Sequence, residues 1–270
     1  VSDPVLLVDV TAPLLPVDLS AEADLARRFG GLARLYGPQA YARLRAARFT
    51  VVGVGGVGSW AAEALARSGA SRLTLIDLDN VAESNVNRQV HALTPTLGQA
   101  KVLALKERIA LIHPGCQVDA IEEFVDEDNA AALLSAHDSD VIIDCCDQVK
   151  AKAALIAWAW QAGRTVITVG AAGGKTQPQL VELADLAEVT HDPLLSSLRQ
   201  RLRQRHDGPR KGPMRVSCVF SREAVRGSQA ESCETPQRSG SLNCAGYGSS
   251  VMVTATFGMV AAAHAVNSML

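Results

Sequence analysis

Four glycines stand between a short β-branched run and a helical segment. With no side chains, Gly53, Gly55, Gly56 and Gly58 let the backbone turn tightly and bring N–H groups against phosphate. The start of the following helix adds positive potential there. Asp77 comes about 20 residues later, the spacing of a carboxylate that accepts from ribose hydroxyls. Asp79 is either a second nucleotide contact or a loop cap. Asn85, Arg88 and Gln89 belong to Asn85-Val-Asn-Arg-Gln89, and Lys101 lies at the start of a strong helix. A hydride-transfer site needs a largely neutral path to its nicotinamide. Attack on an α-phosphate instead needs fixed cations against the charge growing on phosphate oxygens, and Arg88 with Lys101 supplies them. Asp147, in Asp144-Cys-Cys-Asp147, suits Mg²⁺, which takes a few protein oxygens beside phosphate and water. It suits equally the cap of the next helix; Asp144 reads as structural. The set implies an ATP site that activates a carboxylate, with Arg88, Lys101 and Asp147 as its catalytic residues.

The elements that must position these residues alternate regularly. Strands are expected at 49–54, 73–76, 117–121, 141–144 and 165–169. Helices are expected at 57–68, 99–112, 129–135 and 149–162, the last ending at Gly163. A helix over 23–44 is interrupted at Gly30-Gly31 and at Gly37-Pro38. This rhythm implies an α/β, Rossmann-like, doubly wound and mostly parallel sheet with helices on both faces. Ligands of such sheets sit at the carboxyl ends of the strands, where the glycine loop, Asp77, Asp79, Asp144, Asp147 and residues 170–174 all fall.

After Gly174 the rhythm changes. Residues 179–183 read as an exposed strand, 192–206 as an amphipathic helix, 214–220 as a strand and 222–243 as a mobile loop. The chain divides into an arm (1–22), an ATP-binding adenylation core (23–175) and a C-terminal extension of the same domain (176–270). Within the extension, Arg199, Arg201, Arg203, Arg205, Arg210, Lys211 and Arg215 cluster against one acid, Asp207. That density across 192–215 suits a nucleic-acid backbone, although a solvated helix face carries similar patterns.

At 270 residues the chain is long enough for one large domain, and its net charge of −2 names no partner. Six scattered cysteines read as reduced thiols of a cytoplasmic protein. Residues 1–17 lack the pattern of a signal peptide. Residues 247–266 carry no formal charge and approach the length of a membrane span, but their polar residues and unflanked ends favour a core helix.

The glycine loop, Asp77-Leu-Asp79, Asn85-Val-Asn-Arg-Gln89, Lys101 and Asp144-Cys-Cys-Asp147 resemble the adenylation domain of the ubiquitin-activating superfamily. That superfamily includes the enzymes that activate sulfur carriers for molybdopterin and thiamine synthesis. Arg28-Phe-Gly-Gly-Leu-Ala-Arg-Leu-Tyr-Gly37, Gly58-Ser-Trp-Ala-Ala-Glu-Ala-Leu-Ala-Arg67, Asn87-Arg-Gln-Val-His-Ala-Leu93, Asp192-Pro-Leu and Met252-Val-Thr-Ala-Thr-Phe-Gly258 narrow the resemblance to the tRNA threonylcarbamoyladenosine dehydratases. The resemblance implies ATP-dependent activation of the free carboxylate of that nucleoside beside the tRNA anticodon, followed by ring closure. It implies that Asp77 holds the ribose, that Asn85, Arg88 and Lys101 touch the triphosphate, and that Asp147 holds Mg²⁺. It further implies a homodimer in which an arginine of the N-terminal helix reaches the neighbouring site, with Arg28 and Arg34 as candidates. A sulfur-mobilising cysteine desulfurase partner stays open. The Cys-x-x-Cys pairs of the carrier-activating relatives are missing, so zinc is not expected. Their absence and the basic segment argue against the alternative of a sulfur-carrier adenylyltransferase. Arg88 and Lys101 argue against an NAD-dependent dehydrogenase, and the complete set of site residues against a non-catalytic tRNA scaffold. Cys218 reads as a buried strand residue and Cys233 as the more reactive thiol; no cysteine is assigned to catalysis.

Overall fold

Short runs rich in Val, Ile and Leu, each closed by a turn, make strands buried on both faces, and parallel sheets are built from such strands. The computed structural model describes residues 24–225 and 247–270. The expected arm, most of the 222–243 loop, Cys233 and Cys244 lie outside them. Among the described residues the strands are β1 (Arg48–Val52), β2 (Arg72–Ile76), β3 (Gln117–Ile121), β4 (Val141–Asp144), β5 (Thr165–Val169), β6 (Val181–Asp185) and β7 (Ser217–Ser221). They form one sheet in the order β3-β2-β1-β4-β5-β7-β6. Only β6 runs antiparallel, against β7. The helices are α1 (Leu25–Tyr36), α2 (Pro38–Ala46), α3 (Gly58–Arg67), α4 (Lys101–Ile112), α5 (Ala130–His137), α6 (Val149–Ala162), α7 (Pro193–Arg205) and α8 (Val251–Asn267).

The period of two along each strand feeds two cores. Val51, Leu73, Leu75, Val141, Ile143, Ile167 and Val219 face α2, α3, α4 and α8. Val52, Ile76, Ile142, Val166, Cys218 and Phe220 face α5, α6 and α7. The uncharged C-terminal segment is α8, which buries Val253, Phe257, Ala261, Ala265 and Val266 along α3. Among the described residues no helix is long and apolar enough to cross a membrane.

Several boundaries differ from expectation for local reasons. α1 runs through Gly30-Gly31 without a break. Asp24 caps its first turn, accepting from the Arg27 N–H at 2.9 Å, and Phe29 is buried against the His113 ring. These outweigh the roughly 1 kcal/mol each that two mid-helix glycines cost. The break comes only at Gly37, which has φ of 83° and precedes Pro38. β1 stops at Val52 because the Val54 N–H donates to the Asp77 carboxylate, not to a neighbouring strand. β7 starts at Ser217, later than expected: Arg215 has φ of 57°, and the N–H groups of Met214 and Val216 donate to Asp185. Pro178 opens a 3₁₀ turn, so the edge strand begins at Val181.

One buried side chain in this frame is poorly matched to its surroundings. His91 is 1 % exposed, and neither ring nitrogen has a hydrogen-bond partner among the described residues. Burial, then the charges of Lys101 and Arg108, lower its pKa to about 4. The unfolded chain therefore takes up a proton that the folded chain refuses between pH 6.5 and 4, and stability falls as pH drops through that window. The loss from this one group approaches about 3 kcal/mol. His91→Leu should flatten the pH dependence of urea unfolding there, and an unchanged slope would show that His91 is not its source.

Candidate functional site

A doubly wound sheet opens a crevice where the strand order reverses, here between β1 and β4. A cleft of about 340 Å³ lies there. Gly53, Gly55 and Gly56 form one side, Asp77, Asp79 and Lys101 another, and Cys146, Asp147 and Gln148 a third. Its far end is made by Gly170–Gly173 with Pro193 and Leu194 from the start of α7. Thr254 of α8 reaches it from below the glycine loop.

Two glycines of the loop are sterically required. Gly53 has φ of 80°, a left-handed conformation that side chains disfavour. A Cβ on Gly58 would lie 1.8 Å from the Gly53 carbonyl oxygen. Gly53 and Gly58 therefore close the turn on each other and set the entry to α3. Gln89 and Arg88 lie alongside Gly55 and Gly56, in the space their missing side chains leave.

Asp77 is tied into this loop. One carboxylate oxygen accepts from the Val54 N–H at 2.8 Å and the other from the Asp79 N–H at 2.9 Å. Burial raises its pKa above the ordinary value, opposed by Lys101 and by those two N–H groups. A carboxylate oxygen accepts more than one hydrogen bond, so acceptor capacity remains for ribose hydroxyls. Lys101, 6 % exposed, places Nζ 2.6 Å from Asp79 Oδ2. Asp79 is thus a partner of Lys101 as well as a cleft residue. Arg88 Nη1 donates to the Ser84 carbonyl at 2.7 Å and to Asn87 Oδ1 at 2.9 Å. Its carbonyl accepts from Trp60 Nε1 at 3.0 Å, which fixes this turn to α3.

Asp147 lines the cleft, and its pKa is raised, chiefly by burial and further by the charge of Asp79. It is not the cap of α6, whose N-cap residue is Gln148. Asn85 does not line the cleft. Its side chain accepts from the Ala82 N–H at 3.1 Å, and its carbonyl takes the N–H groups of Arg88 and Gln89. Asn85 therefore shapes the turn that presents Arg88. Burial pushes the Cys145 thiol up to about 12 and Cys146 well above its ordinary value, so neither suits a nucleophile at neutral pH.

The expected cations outside the cleft separate into groups. Arg28 Nη1 donates to the Ile112 carbonyl at 2.6 Å, holding α1 against the end of α4; Arg28 and Arg34 are both exposed. Arg199 Nη1 donates to the carbonyls of Leu186 and Val189. Arg201 is ion-paired with Glu127, so the charge of α7 is partly neutralised on that side. Arg203 Nε donates to the Pro209 carbonyl at 3.0 Å. Arg205, Arg210 and Lys211 are exposed.

Sequence reasoning passed over Lys152. It is fully buried on α6 and donates to Asp144 Oδ2 at 3.1 Å, Thr168 Oγ1 at 3.1 Å and the Val169 carbonyl at 2.9 Å. Thr168 Oγ1 in turn donates to Asp144 Oδ2 at 2.6 Å. Burial alone would lower the Lys152 pKa, but the Asp144 carboxylate raises it above the ordinary value. A lysine in the apolar run Ala151-Lys-Ala-Ala-Leu-Ile156, one helix after a strand ending in aspartate, was the available signal.

A nucleotide-sized crevice, a glycine turn, a ribose-type carboxylate and two cations beside it define a nucleotide-binding site of the adenylating kind. The family model described as the ThiF family matches residues 27–270, and the chain belongs to this family. A tRNA threonylcarbamoyladenosine dehydratase of Escherichia coli (strain K12) is 44 % identical over 255 residues, covering 90 % of this chain and 94 % of that protein. The crystal structure of the E. coli tRNA N6-threonylcarbamoyladenosine dehydratase in complex with ATP is similar at a TM-score of 0.81 and 43 % identity, covering 92 % of this chain and 96 % of that one. The same enzyme in complex with AMP is similar at a TM-score of 0.83, with the same coverage.

The floor of the site generates a stability test. Lys152→Met leaves the Asp144 carboxylate buried without its countercharge, and should cost about 3–5 kcal/mol in urea unfolding. Adding Asp144→Leu should recover much of that loss, because an apolar pair needs no compensation. Equal instability of the single and double variants would mean that the damage is steric and not electrostatic.

Proposed function

We propose that this chain dehydrates threonylcarbamoyladenosine in tRNA, using ATP to activate the carboxylate of the modified nucleoside. The observation that carries the reading is the joint presence of Arg88 and Lys101 beside the glycine turn and Asp77 in one cleft. The likeness to a dehydratase solved with both ATP and AMP supports it over the length of the chain. The substrate carboxylate oxygen attacks the α-phosphorus and pyrophosphate leaves. The carbamoyl group then attacks the activated carbonyl and gives up an N–H proton to solvent, AMP departs with the former carboxylate oxygen, and a five-membered ring closes. The chain's contribution is positioning and charge. Asp77 holds the ribose, the glycine loop's N–H groups face the phosphates, and Arg88 and Lys101 stabilise charge on phosphate oxygens. Lys101 changes partner from Asp79 to phosphate as the nucleotide enters.

Asp147 fits Mg²⁺: it lines the cleft, and burial and Asp79 both disfavour its ionised form, a cost that a nearby dication removes. When bound, the ion would neutralise triphosphate charge. The tRNA enters by its anticodon loop, and the cations of α7 other than the ion-paired Arg201, with residues 210–211, face its backbone. A homodimer belongs to this reading, with Arg34 as the arginine offered to the neighbouring site, since Arg28 is held by its own chain.

Incubation with ATP and threonylcarbamoylated tRNA should yield AMP and pyrophosphate, and the nucleoside should lose the mass of one water. AMP formation with unmodified tRNA at the same rate would refute the assignment. Arg88→Ala should lower kcat by about two to three powers of ten, the scale for losing one transition-state charge stabiliser, with tRNA affinity near its starting value. An Arg88→Ala enzyme of normal kcat would place the phosphate contacts elsewhere.

A further inference from the structure

α7 joins two places. Its first residues, Pro193 and Leu194, line the far end of the cleft. Its exposed face farther along forms a separate depression of about 460 Å³, lined by Ser196, Arg199, Gln200, Arg203, Gln204 and Arg210. The spacing explains the shared face: 196, 199/200 and 203/204 recur every three to four residues, opposite the buried Leu195, Leu198 and Leu202. Every side chain in this lining donates hydrogen bonds, three are guanidinium groups, and none is a carboxylate.

Two of the arginines are held in place. Arg199 Nη1 donates to the carbonyls of Leu186 and Val189 at 2.9 and 2.8 Å, and Arg203 Nε donates to the Pro209 carbonyl. These bonds leave further donors on each planar guanidinium, which has five N–H groups in all. Restraint of the side chain in the free protein lowers the entropy lost when an anion binds. Arg201 is different: it lies outside this lining and is ion-paired with Glu127.

We propose that the Arg199–Arg203–Arg210 depression is a binding site for backbone phosphates of the RNA, next to the nucleotide whose base enters the cleft. The proposal rests on the tRNA reading above. At about 1.5 Å of rise per residue, Arg199 and Arg203 lie about 8 and 14 Å along the helix from Leu194. That reach spans a few nucleotides of a single strand, so α7 sets the distance between the reacting base and the clamped backbone. Asp192 fixes the helix to the cleft: Oδ1 accepts from the Leu195 N–H at 3.0 Å and Oδ2 from the Ala171 N–H at 2.9 Å. The cations that matter are therefore a subset of the basic segment, chosen by the face of α7 on which they lie.

The test measures binding of a fluorescent, threonylcarbamoylated anticodon stem-loop RNA across salt concentrations, alongside steady-state turnover. Arg203→Gln/Arg210→Gln should weaken RNA affinity roughly tenfold and lower the salt slope by about one to two units. KM for RNA should rise and kcat at saturating RNA should fall, because the strand loses its register, while ATP affinity holds. Gln200→Glu, which keeps every arginine and alters an exposed position, should produce a similar loss by placing a carboxylate among them. Arg201→Gln should change the slope little. Inorganic phosphate at constant ionic strength should not displace the RNA; displacement would assign the depression to a free anion and overturn the proposal. So would unchanged affinity and slope in both Arg203→Gln/Arg210→Gln and Gln200→Glu, or an equal loss in Arg201→Gln, which would mean a diffuse field and not a site. A wild-type enzyme that binds the RNA through these residues yet does not dehydrate it would instead remove the functional reading and leave the phosphate site standing.

Discussion

Asp144 and Lys152 meet where no water reaches, and the geometry of the cleft depends on how completely they satisfy each other. Two charges removed from water cost several kcal/mol each, and one salt bridge alone rarely repays that. Here the ammonium group finds a carboxylate, a hydroxyl and a backbone carbonyl, and the carboxylate also accepts from Thr168 and from the Cys146 N–H at 3.2 Å. The partners come from the carboxyl ends of β4 and β5 and from the body of α6. The network thus clamps together the two strand ends from which the cleft loops depart. Cys145 starts the turn toward Asp147, and its N–H still donates to the Val52 carbonyl at 2.8 Å, where the glycine turn begins. A shift in the buried pair would move both the candidate magnesium ligand and the phosphate-binding turn.

Above this floor the charges are arranged to be exchanged. Lys101 is buried but its partner Asp79 is largely exposed, with 74 % of its side chain accessible. A nearly buried ammonium beside an exposed carboxylate is held in position yet can turn to a stronger anion at small desolvation cost, since it is already desolvated. Asp77 shows the complementary case. Its two oxygens are fixed by backbone N–H groups on both sides of the crevice, so it orients a ribose without having to be ordered by it. Arg88 sits between these cases, braced by Ser84, Asn87 and Trp60 and laid over Gly56, whose missing side chain makes room for it.

The sequence disclosed this site to the extent that chemistry is written locally. Gly53, Gly55, Gly56, Asp77, Asp79, Arg88, Gln89, Lys101 and Asp147 are each recognisable from type and spacing, and all line one cleft, whereas Gly58 is buried against Gly53 and serves the turn. Strands β3, β4 and β5 and helix α6 were legible to the residue, because apolar runs closed by turn residues have few other ways to fold. What was hidden depended on distant partners. The role of Asn85 shows only when its side chain is seen capping its own turn. Lys152 looks like a flaw in an apolar helix until Asp144 and Thr168 arrive from two other strands. The continuity of α1 across Gly30-Gly31 depends on Phe29 finding His113, more than 80 residues away. The start of β7 was misplaced because Asp185, on a neighbouring strand, captures the N–H groups that an extended chain would have offered to the sheet.

The basic segment shows the same limit from the other side. Counted along the chain, its arginines are equivalent, and their one-sided charge is the whole signal. In three dimensions a helix of period 3.6 sorts them: Arg201 turns toward Glu127, while Arg199 and Arg203 share a face with Ser196, Gln200 and Gln204 but no acid. Because α7 begins inside the cleft, this sorting also fixes distance. A general positive field raises the rate of encounter with any polyanion, but it leaves the register of the bound strand undefined. Restrained guanidinium groups at fixed steps from the reaction centre define that register. For an enzyme whose chemistry is chiefly the in-line placement of a carboxylate against a phosphorus atom, register of the substrate strand is as much a part of catalysis as the cations beside the phosphates.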